Sequence, residues 1–117
     1  MTDIENLGIK TVLHPVSDVE KAKAVYTALL GIEPQTDSAY YVGYDVAGQH
    51  IGLVPGGNGE TVPVSYWHVT DIAGKIAEIT AAGGAVKQDA RDVGHGRLVA
   101  TVTDADGNVL GLLQDPQ

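Results

Sequence analysis

The sequence contains no cysteine, no phenylalanine, one tryptophan and few basic residues. Without cysteine there is no disulfide bond, no thiolate metal ligand and no cysteine nucleophile, which fits a reducing compartment. The 7 basic residues stand against 15 acidic ones, so the formal net charge is -8. A surface of that sign repels nucleic-acid phosphates and anionic lipid headgroups. These shortages predict a protein with no nucleic-acid partner.

Long apolar runs are also missing. No stretch approaches the roughly 18 apolar residues that a membrane span needs. The first ten residues, MTDIENLGIK, carry acids where a signal peptide would carry basic residues before an apolar stretch. The sequence therefore predicts no membrane partner and a cytoplasmic location.

What is present is an ordinary globular composition, with 44% apolar and 19% charged residues over 117 positions. A chain of this length buries well over half of the surface that its unfolded form exposes, and it needs no disulfide bond or structural metal to hold its core together. We expect one domain over residues 1–117.

The chain contains two copies of one pattern. Residues 12–31 read VLHPVSDVEKAKAVYTALLG and residues 65–84 read SYWHVTDIAGKIAEITAAGG, so Asp18 aligns with Asp71. Later, GQHIGLVP aligns with GNVLGLLQ, which places Gly52 over Gly111. The repeat predicts module 1 at about 1–55, a Gly-rich linker at about 56–60 and module 2 at about 61–117.

Each copy reads as a strand, a helix and three further strands. A capping box of Ser17 and Glu20 predicts the start of the first helix, because each side chain can satisfy a backbone N–H of the first turn. Its apolar face is predicted at i, i+3, i+4 and i+7, by Ala22, Val25, Tyr26 and Leu29. The predicted fold class is α+β, with two tandem βαβββ modules.

The opening V-S-D-V-x-x-A-x-x-x-Y-x-x-L-L-G of the first copy and the closing D-A-D-G-N-V-L-G-L of the second resemble the vicinal oxygen chelate superfamily. This superfamily includes glyoxalases, bleomycin-resistance proteins and extradiol dioxygenases. The resemblance covers nearly the whole chain. It implies a curved mixed sheet that forms a cleft, helices on the outside, a small-molecule ligand and a homodimer.

In the metal-dependent members, side chains from equivalent strands of both modules bind one divalent metal. The resemblance maps those positions onto Thr11, Gly52, Val64 and Gly111. None of these residues is a plausible ligand for a transition metal, which takes histidine, cysteine or carboxylates. The sequence therefore predicts no metal and no cofactor.

The histidines differ in their expected roles. His50 lies two residues before Gly52 and so shares its face, which makes it the best candidate for binding or proton transfer. His68 shares the cleft face further along its strand, and His95 lies in a loop that is either solvated or gates the cleft. His14 is an odd step from Thr11 and is expected to pack toward the helices.

Tyrosines are expected to supply the aromatic part of the cleft. Tyr66 is an even step from Val64 and should enter the cleft, whereas Trp67 should pack beneath a helix. Alternation separates Tyr41 from Tyr40 and Tyr44 and leaves open which set faces inward. The candidate ligand-binding residues are Thr11, Leu13, Tyr41, His50, Gly52, Val64, Tyr66, His68, His95 and Gly111.

The leading functional hypothesis is a metal-independent protein that binds an apolar or aromatic small molecule, such as an antibiotic or other natural product that it sequesters. The alternative is a metal-free isomerase, cyclase or lyase that uses a cleft histidine. A metal-dependent lyase or dioxygenase with displaced histidines, and an interaction module with a filled cleft, complete the alternatives.

Overall fold

The computed structural model describes residues 5–55 and 62–116 of the chain. The predicted linker at 56–60 lies outside these residues. The elements in chain order are β1 (Asn6–Pro15), α1 (Val19–Leu30), β2 (Thr36–Asp37), β3 (Val42–Val46), β4 (Gln49–Val54), β5 (Val64–Val69), α2 (Ile72–Ala81), β6 (Ala85–Asp92), β7 (Leu98–Thr103) and β8 (Val109–Gln114).

The contacts divide the chain into two compact units. One unit comprises residues 10–64, and the other comprises residues 1–9 together with 65–117. In the first unit the strand order is β2-β3-β4-β1, and in the second it is β5-β8-β7-β6. The β1/β4 and β5/β8 pairs are parallel and the others are antiparallel. The predicted α+β class and the βαβββ order of both modules are confirmed.

The core of the first unit lies between α1 and one face of its strands. Val42, Tyr44 and Leu53 are fully buried there. The Tyr44 hydroxyl lies 2.8 Å from Oγ1 of Thr27 and donates to the Lys23 carbonyl at 3.1 Å. A buried phenol usually needs such partners, so this tyrosine fixes α1 on the strands.

Two details of α1 differ from the sequence prediction. The N-cap is Asp18, whose side chain accepts a hydrogen bond from the Lys21 N–H at 3.1 Å, and not Ser17. Val25 and Leu29 are 65% and 73% exposed. The residues of α1 that pack on the core are Val19, Ala22, Tyr26 and Leu30. The helix is therefore rotated from the predicted face.

The second unit has a matching core beneath α2. Val69, Ile72, Ala100, Val102 and Leu112 are buried, and Ile76, Ile79 and Trp67 pack against them. Asp71 caps the helix by accepting from the Gly74 N–H at 3.0 Å. The prediction that Trp67 packs beneath a helix is confirmed.

The D-A-D-G-N motif forms the turn between β7 and β8. The Asp104 carboxylate accepts from the backbone N–H groups of Asp106 and Asn108 and from the Asn108 side chain, at 2.9, 2.8 and 2.9 Å. Hydrogen bonding by the Asn108 side chain, followed by its backbone N–H, holds the pKa of Asp104 below its ordinary value. This carboxylate is a turn residue, as the sequence indicates.

His14 is expected to make the free energy of unfolding depend on pH. It packs against Tyr26, whose hydroxyl lies 3.0 Å from Nδ1 of His14, and burial lowers the pKa of His14 from its ordinary 6.5. As the pH falls, His14 therefore takes up a proton at a higher pH in the unfolded chain than in the folded protein. The contribution of His14 to stability is complete above pH 6.5 and is lost as the pH falls through its lowered value.

Urea unfolding of wild-type protein and His14→Gln between about pH 5 and pH 8 measures this effect. The wild type should lose more stability than the variant across the acidic half of that range. Parallel curves for the two proteins would show that His14 does not titrate with folding.

Candidate functional site

The face of the first unit that points away from α1 carries several of the predicted site residues. In β3, Val42 and Tyr44 point to the helix, so alternation sends Gly43 and Asp45 to the opposite face. Tyr41 has the same parity and lies beside His50 in β4. The open question about the tyrosines of this segment is thereby answered for Tyr41, while Tyr40 is 83% exposed.

The same face continues across β4 and β1. Residues that are partners in the parallel β1/β4 ladder point the same way, and these partners are Thr11 with His50 and Leu13 with Gly52. Ile51 and Leu53 point to the helix instead. The first unit thus brings together five predicted residues, namely Thr11, Leu13, Tyr41, His50 and Gly52.

At the centre of this face is a chain of three polar side chains. Nε2 of His50 is hydrogen-bonded to the Tyr41 hydroxyl. Its Nδ1 lies 2.7 Å from Oδ1 of Asp45. The Tyr41 and His50 rings are nearly parallel, at 8°, with centroids 5.9 Å apart. Because His50 is half-buried and bonded at both nitrogens, its ring is fixed in orientation.

Asp45 was missed by the sequence prediction, although the hairpin contained the signal. Ala47 and Gly48 both have positive φ, 54° and 77°, as in a two-residue type I′ turn. Such a turn pairs Val46 with Gln49 and, one step further, Asp45 with His50. Counting outward from Ala47-Gly48 would have placed the carboxylate beside the imidazole.

Side chains of neighbouring residues fill the space over Gly52. A Cβ atom at Gly52 would lie 2.6 Å from Cδ2 of Leu13 and 2.8 Å from Cζ of Tyr41. Real Cβ atoms do not approach other atoms so closely, so no larger residue fits without displacing both side chains. Glycine at this position therefore allows Leu13 and Tyr41 to lie where they do.

The second unit repeats this arrangement with other residues. Gly111 in β8 is the ladder partner of Tyr66 in β5. A Cβ atom at Gly111 would lie 2.6 Å from Cδ2 of the Tyr66 ring, which is itself 6% exposed. Tyr66 and Gly111, both predicted site residues, are thus in contact on the face opposite α2.

Thr101 lies on the other side of Gly111 and was not predicted. It is the partner of Gly111 in the β7/β8 ladder. Its neighbours Ala100 and Val102 point to α2, so Thr101 shares the face of Tyr66. Thr101 is 4% exposed, and within residues 5–55 and 62–116 its Oγ1 has no hydrogen-bond partner. A buried hydroxyl left unpaired is uncommon in native proteins and calls for a reason.

The remaining predicted residues are not part of these two clusters. His68 is buried near the end of β5, with its Nδ1 3.5 Å from the Asp115 carboxylate. Arg97 donates to the same carboxylate at 2.8 and 2.9 Å. His95 is exposed in the turn between β6 and β7, and Val64 is buried at the start of β5. The roles given to His68, His95 and Val64 stay predictions.

The metal positions implied by the family resemblance do not fit a metal. In residues 5–55 and 62–116 there is no cluster of three or more His, Cys, Asp or Glu side chains that could hold an ion. Gly52 and Gly111 supply no donor, and Leu13, Tyr41 and Tyr66 occupy the space that a donor side chain at either glycine would need. The residues present therefore disagree with the metal-binding pattern.

Comparison with known proteins identifies a family. The sequence model of the Glyoxalase/Bleomycin resistance protein/Dioxygenase superfamily matches residues 8–112. No protein of curated function matches the sequence significantly.

Solved structures share the fold. Methylmalonyl-CoA epimerase from Mycobacterium tuberculosis has 15% identity and a TM-score of 0.77, covering 100% of this chain and 93% of its own. A glyoxalase/bleomycin resistance protein/dioxygenase superfamily member from Vibrio splendidus 12B01 has 15% identity and a TM-score of 0.70, covering 97% and 100%. The Mn(II)-bound glyoxalase from Novosphingobium aromaticivorans has 18% identity and a TM-score of 0.73, covering 97% and 40%. At such identities the likeness establishes the fold alone.

Proposed function

Because the chain belongs to the Glyoxalase/Bleomycin resistance protein/Dioxygenase superfamily, we propose that it is a metal-independent small-molecule binding protein of that superfamily. The observation that carries the proposal is the packing over Gly52 and Gly111. Leu13 and Tyr41 cover the first glycine and Tyr66 covers the second. Apolar and aromatic surface replaces donor side chains at both positions, which is the surface that organic ligands use.

The chemistry of the two faces describes the expected ligand. In the first unit, Leu13 favours an apolar body and the Tyr41 hydroxyl favours a polar group on it. In the second unit, taken by itself, the Tyr66 ring favours an aromatic body and the Thr101 hydroxyl favours a polar group. The net charge of -8 favours a neutral or cationic molecule over an anion. An antibiotic or other natural product that the protein sequesters meets these requirements.

Thr101 gives this proposal a sharp test. A buried hydroxyl that lacks a partner costs free energy, so Thr101→Val should stabilise the ligand-free protein by about 1 kcal/mol. A hydroxyl kept at that cost is explained if a ligand pairs with it. The variant should therefore be more stable alone and bind more weakly, a trade of stability for function.

The experiment is a thermal-shift screen of aromatic antibiotics and small metabolites against wild type, Thr101→Val and Thr101→Ser. A ligand at a hundredfold excess over Kd stabilises the native state by about 2.7 kcal/mol. Compounds that raise the unfolding midpoint of the wild type should raise that of Thr101→Val by less. They should raise the midpoint of Thr101→Ser, which keeps the hydroxyl, by nearly as much as that of the wild type. If no compound in the panel shifts the wild type, the binding proposal loses its support.

A second candidate is a metal-free isomerase, cyclase or lyase, and the Tyr41–His50–Asp45 chain favours it. A histidine that bonds a hydroxyl on one side and a carboxylate on the other is suited to acid–base work. One of the structural neighbours is named an epimerase. His50→Ala separates the two candidates, because an enzyme loses turnover whereas a binding protein loses only affinity.

A homodimer and a cytoplasmic location stay predictions from the sequence. In the described ranges, no helix has the length and apolar character that crossing a membrane requires.

A further inference from the structure

We propose that Tyr41 is the reacting group of a metal-free acid–base site, in which its phenol proton passes to Nε2 of His50 and Asp45 positions that histidine. The inference rests on the site proposed above and goes beyond ligand binding by naming the atom that exchanges a proton with the ligand. It is carried by the geometry of three side chains on one face of the first unit.

The direction of the hydrogen bonds follows from which groups can donate. A carboxylate only accepts, so Nδ1 of His50 must carry the proton that Asp45 receives. In the neutral ring Nε2 is then the acceptor, and the Tyr41 hydroxyl donates to it. This tautomer is assigned from the network. It leaves Nε2 ready to take the phenol proton.

Glycine at two adjacent ladder positions makes room for this arrangement. Gly43 and Gly52 are partners in the β3/β4 ladder. A Cβ atom at Gly43 would lie 2.8 Å from Cε1 of His50 and 2.9 Å from Cε2 of Tyr41. At Gly52 it would meet the Tyr41 ring. The lack of a side chain at both positions therefore leaves room for the same Tyr–His pair. A strand face with only a structural role would not require glycine at both positions.

Comparison with three other tyrosines shows what distinguishes Tyr41. The Tyr26 hydroxyl also bonds a histidine, His14, but on the helix side, and among the described residues no carboxylate is bonded to the other ring nitrogen. The Tyr44 hydroxyl is fully buried. Tyr40, next to Tyr41 in the chain, is 83% exposed. Compared with these three tyrosines, Tyr41 combines a bonded histidine, a carboxylate on the other nitrogen of that histidine and a partly accessible ring.

The chemistry indicates the class of substrate. One phenol backed by one imidazole moves one proton at a time, so it suits a neutral or cationic carbonyl compound that gains or loses a single proton. After the phenol proton has passed to Nε2 of His50, the Tyr41 phenolate would remove a proton from the carbon next to the carbonyl, which leaves an enolate, a phenol and an imidazolium. The phenol would then return one proton to the enolate, and Nε2 of His50 would return its proton to the Tyr41 phenolate, which restores the starting site.

Benzenesulfonyl fluoride tests the inference without a known substrate. The phenol oxygen bonds to sulfur, the sulfur–fluorine bond breaks, fluoride leaves and the phenol proton passes to His50. The rate of modification at each tyrosine is followed by tandem mass spectrometry, which separates Tyr41 from Tyr40. We expect Tyr41 to react faster than Tyr40 although Tyr40 is far more exposed, and Tyr41→Phe to carry no label at that position.

Two conservative variants identify the roles of the partners. In His50→Gln the amide can accept the phenol hydrogen bond but cannot take its proton, so labelling of Tyr41 should slow by roughly a hundredfold while that of Tyr40 is unchanged. In Asp45→Asn labelling should slow less, and the imidazole ¹⁵N spectrum should show His50 leaving the Nδ1–H tautomer. Circular dichroism confirms that both variants are folded.

Equal labelling of Tyr40 and Tyr41, no labelling of Tyr41, or a rate at Tyr41 that His50→Gln leaves unchanged would overturn the inference. None of these results affects the thermal-shift screen, which reports ligand binding by itself. A protein that binds ligands but fails the labelling test is a binding protein without an acid–base site.

Discussion

Gly111→Ala is expected to destabilise the protein by about 1–3 kcal/mol, although the change adds only one methyl group. The new Cβ would lie 2.6 Å from Cδ2 of Tyr66. That ring is 6% exposed and has little room to move. The cost measures how firmly Tyr66 covers the position where the family resemblance implies a metal ligand. Equilibrium unfolding in urea gives the free energy of unfolding directly.

A double-mutant cycle with Tyr66→Ala isolates that contact. Gly111 lies outside the left-handed region of backbone space, so alanine there should even help slightly once the ring is gone, by about 0.4–1 kcal/mol through the unfolded chain. The sign of the Gly111→Ala effect should therefore reverse in the Tyr66→Ala background. An equal cost in both backgrounds would show that Tyr66 does not occupy the space over Gly111.

Leu53→Ala should cost about 2–5 kcal/mol, the range for truncating a buried leucine. Leu53 is fully buried between α1 and the strands of the first unit. Leu29→Ala is the matched control, since the same truncation removes a side chain that is 73% exposed. Its effect should stay within about 0.5 kcal/mol.

Chemical unfolding of both leucine variants tests the observed rotation of α1. The sequence predicts Leu29 on the apolar face of the helix, whereas the structure exposes it. A large loss of stability for Leu29→Ala, comparable to that of Leu53→Ala, would support the face predicted from the sequence over the observed one.

The fold could be predicted from the sequence because it is repeated. Alignment of Asp18 with Asp71 and of Gly52 with Gly111 gives the same order of elements twice, and one error in local propensity does not disturb it. The face of α1 could not be chosen in the same way. Ala22 and Tyr26 belong to two overlapping apolar stripes, one continued by Val25 and Leu29 and the other by Val19 and Leu30. Packing against Tyr44 and Leu53 selects the second stripe.

The candidate site could be predicted in part. Strand alternation predicts that His50 lies on the same strand face as Gly52, because a period of two needs no tertiary information. The side on which Tyr41 lies depends on Tyr44, whose burial under α1 is a tertiary fact. The unpaired hydroxyl of Thr101 depends on every neighbouring atom, so no pattern of residues along the chain indicates it.

The proposed site works without a metal, and thermal denaturation of the dialysed protein with Mn²⁺, with Zn²⁺ and with a chelator tests this proposal most directly. A bound metal at a hundredfold excess over Kd would add about 2.7 kcal/mol to the free energy of unfolding, which is readily measured. We expect the three midpoints to coincide with that of the untreated protein. A midpoint that rises with metal and falls with chelator would contradict the account and assign the site to metal chemistry.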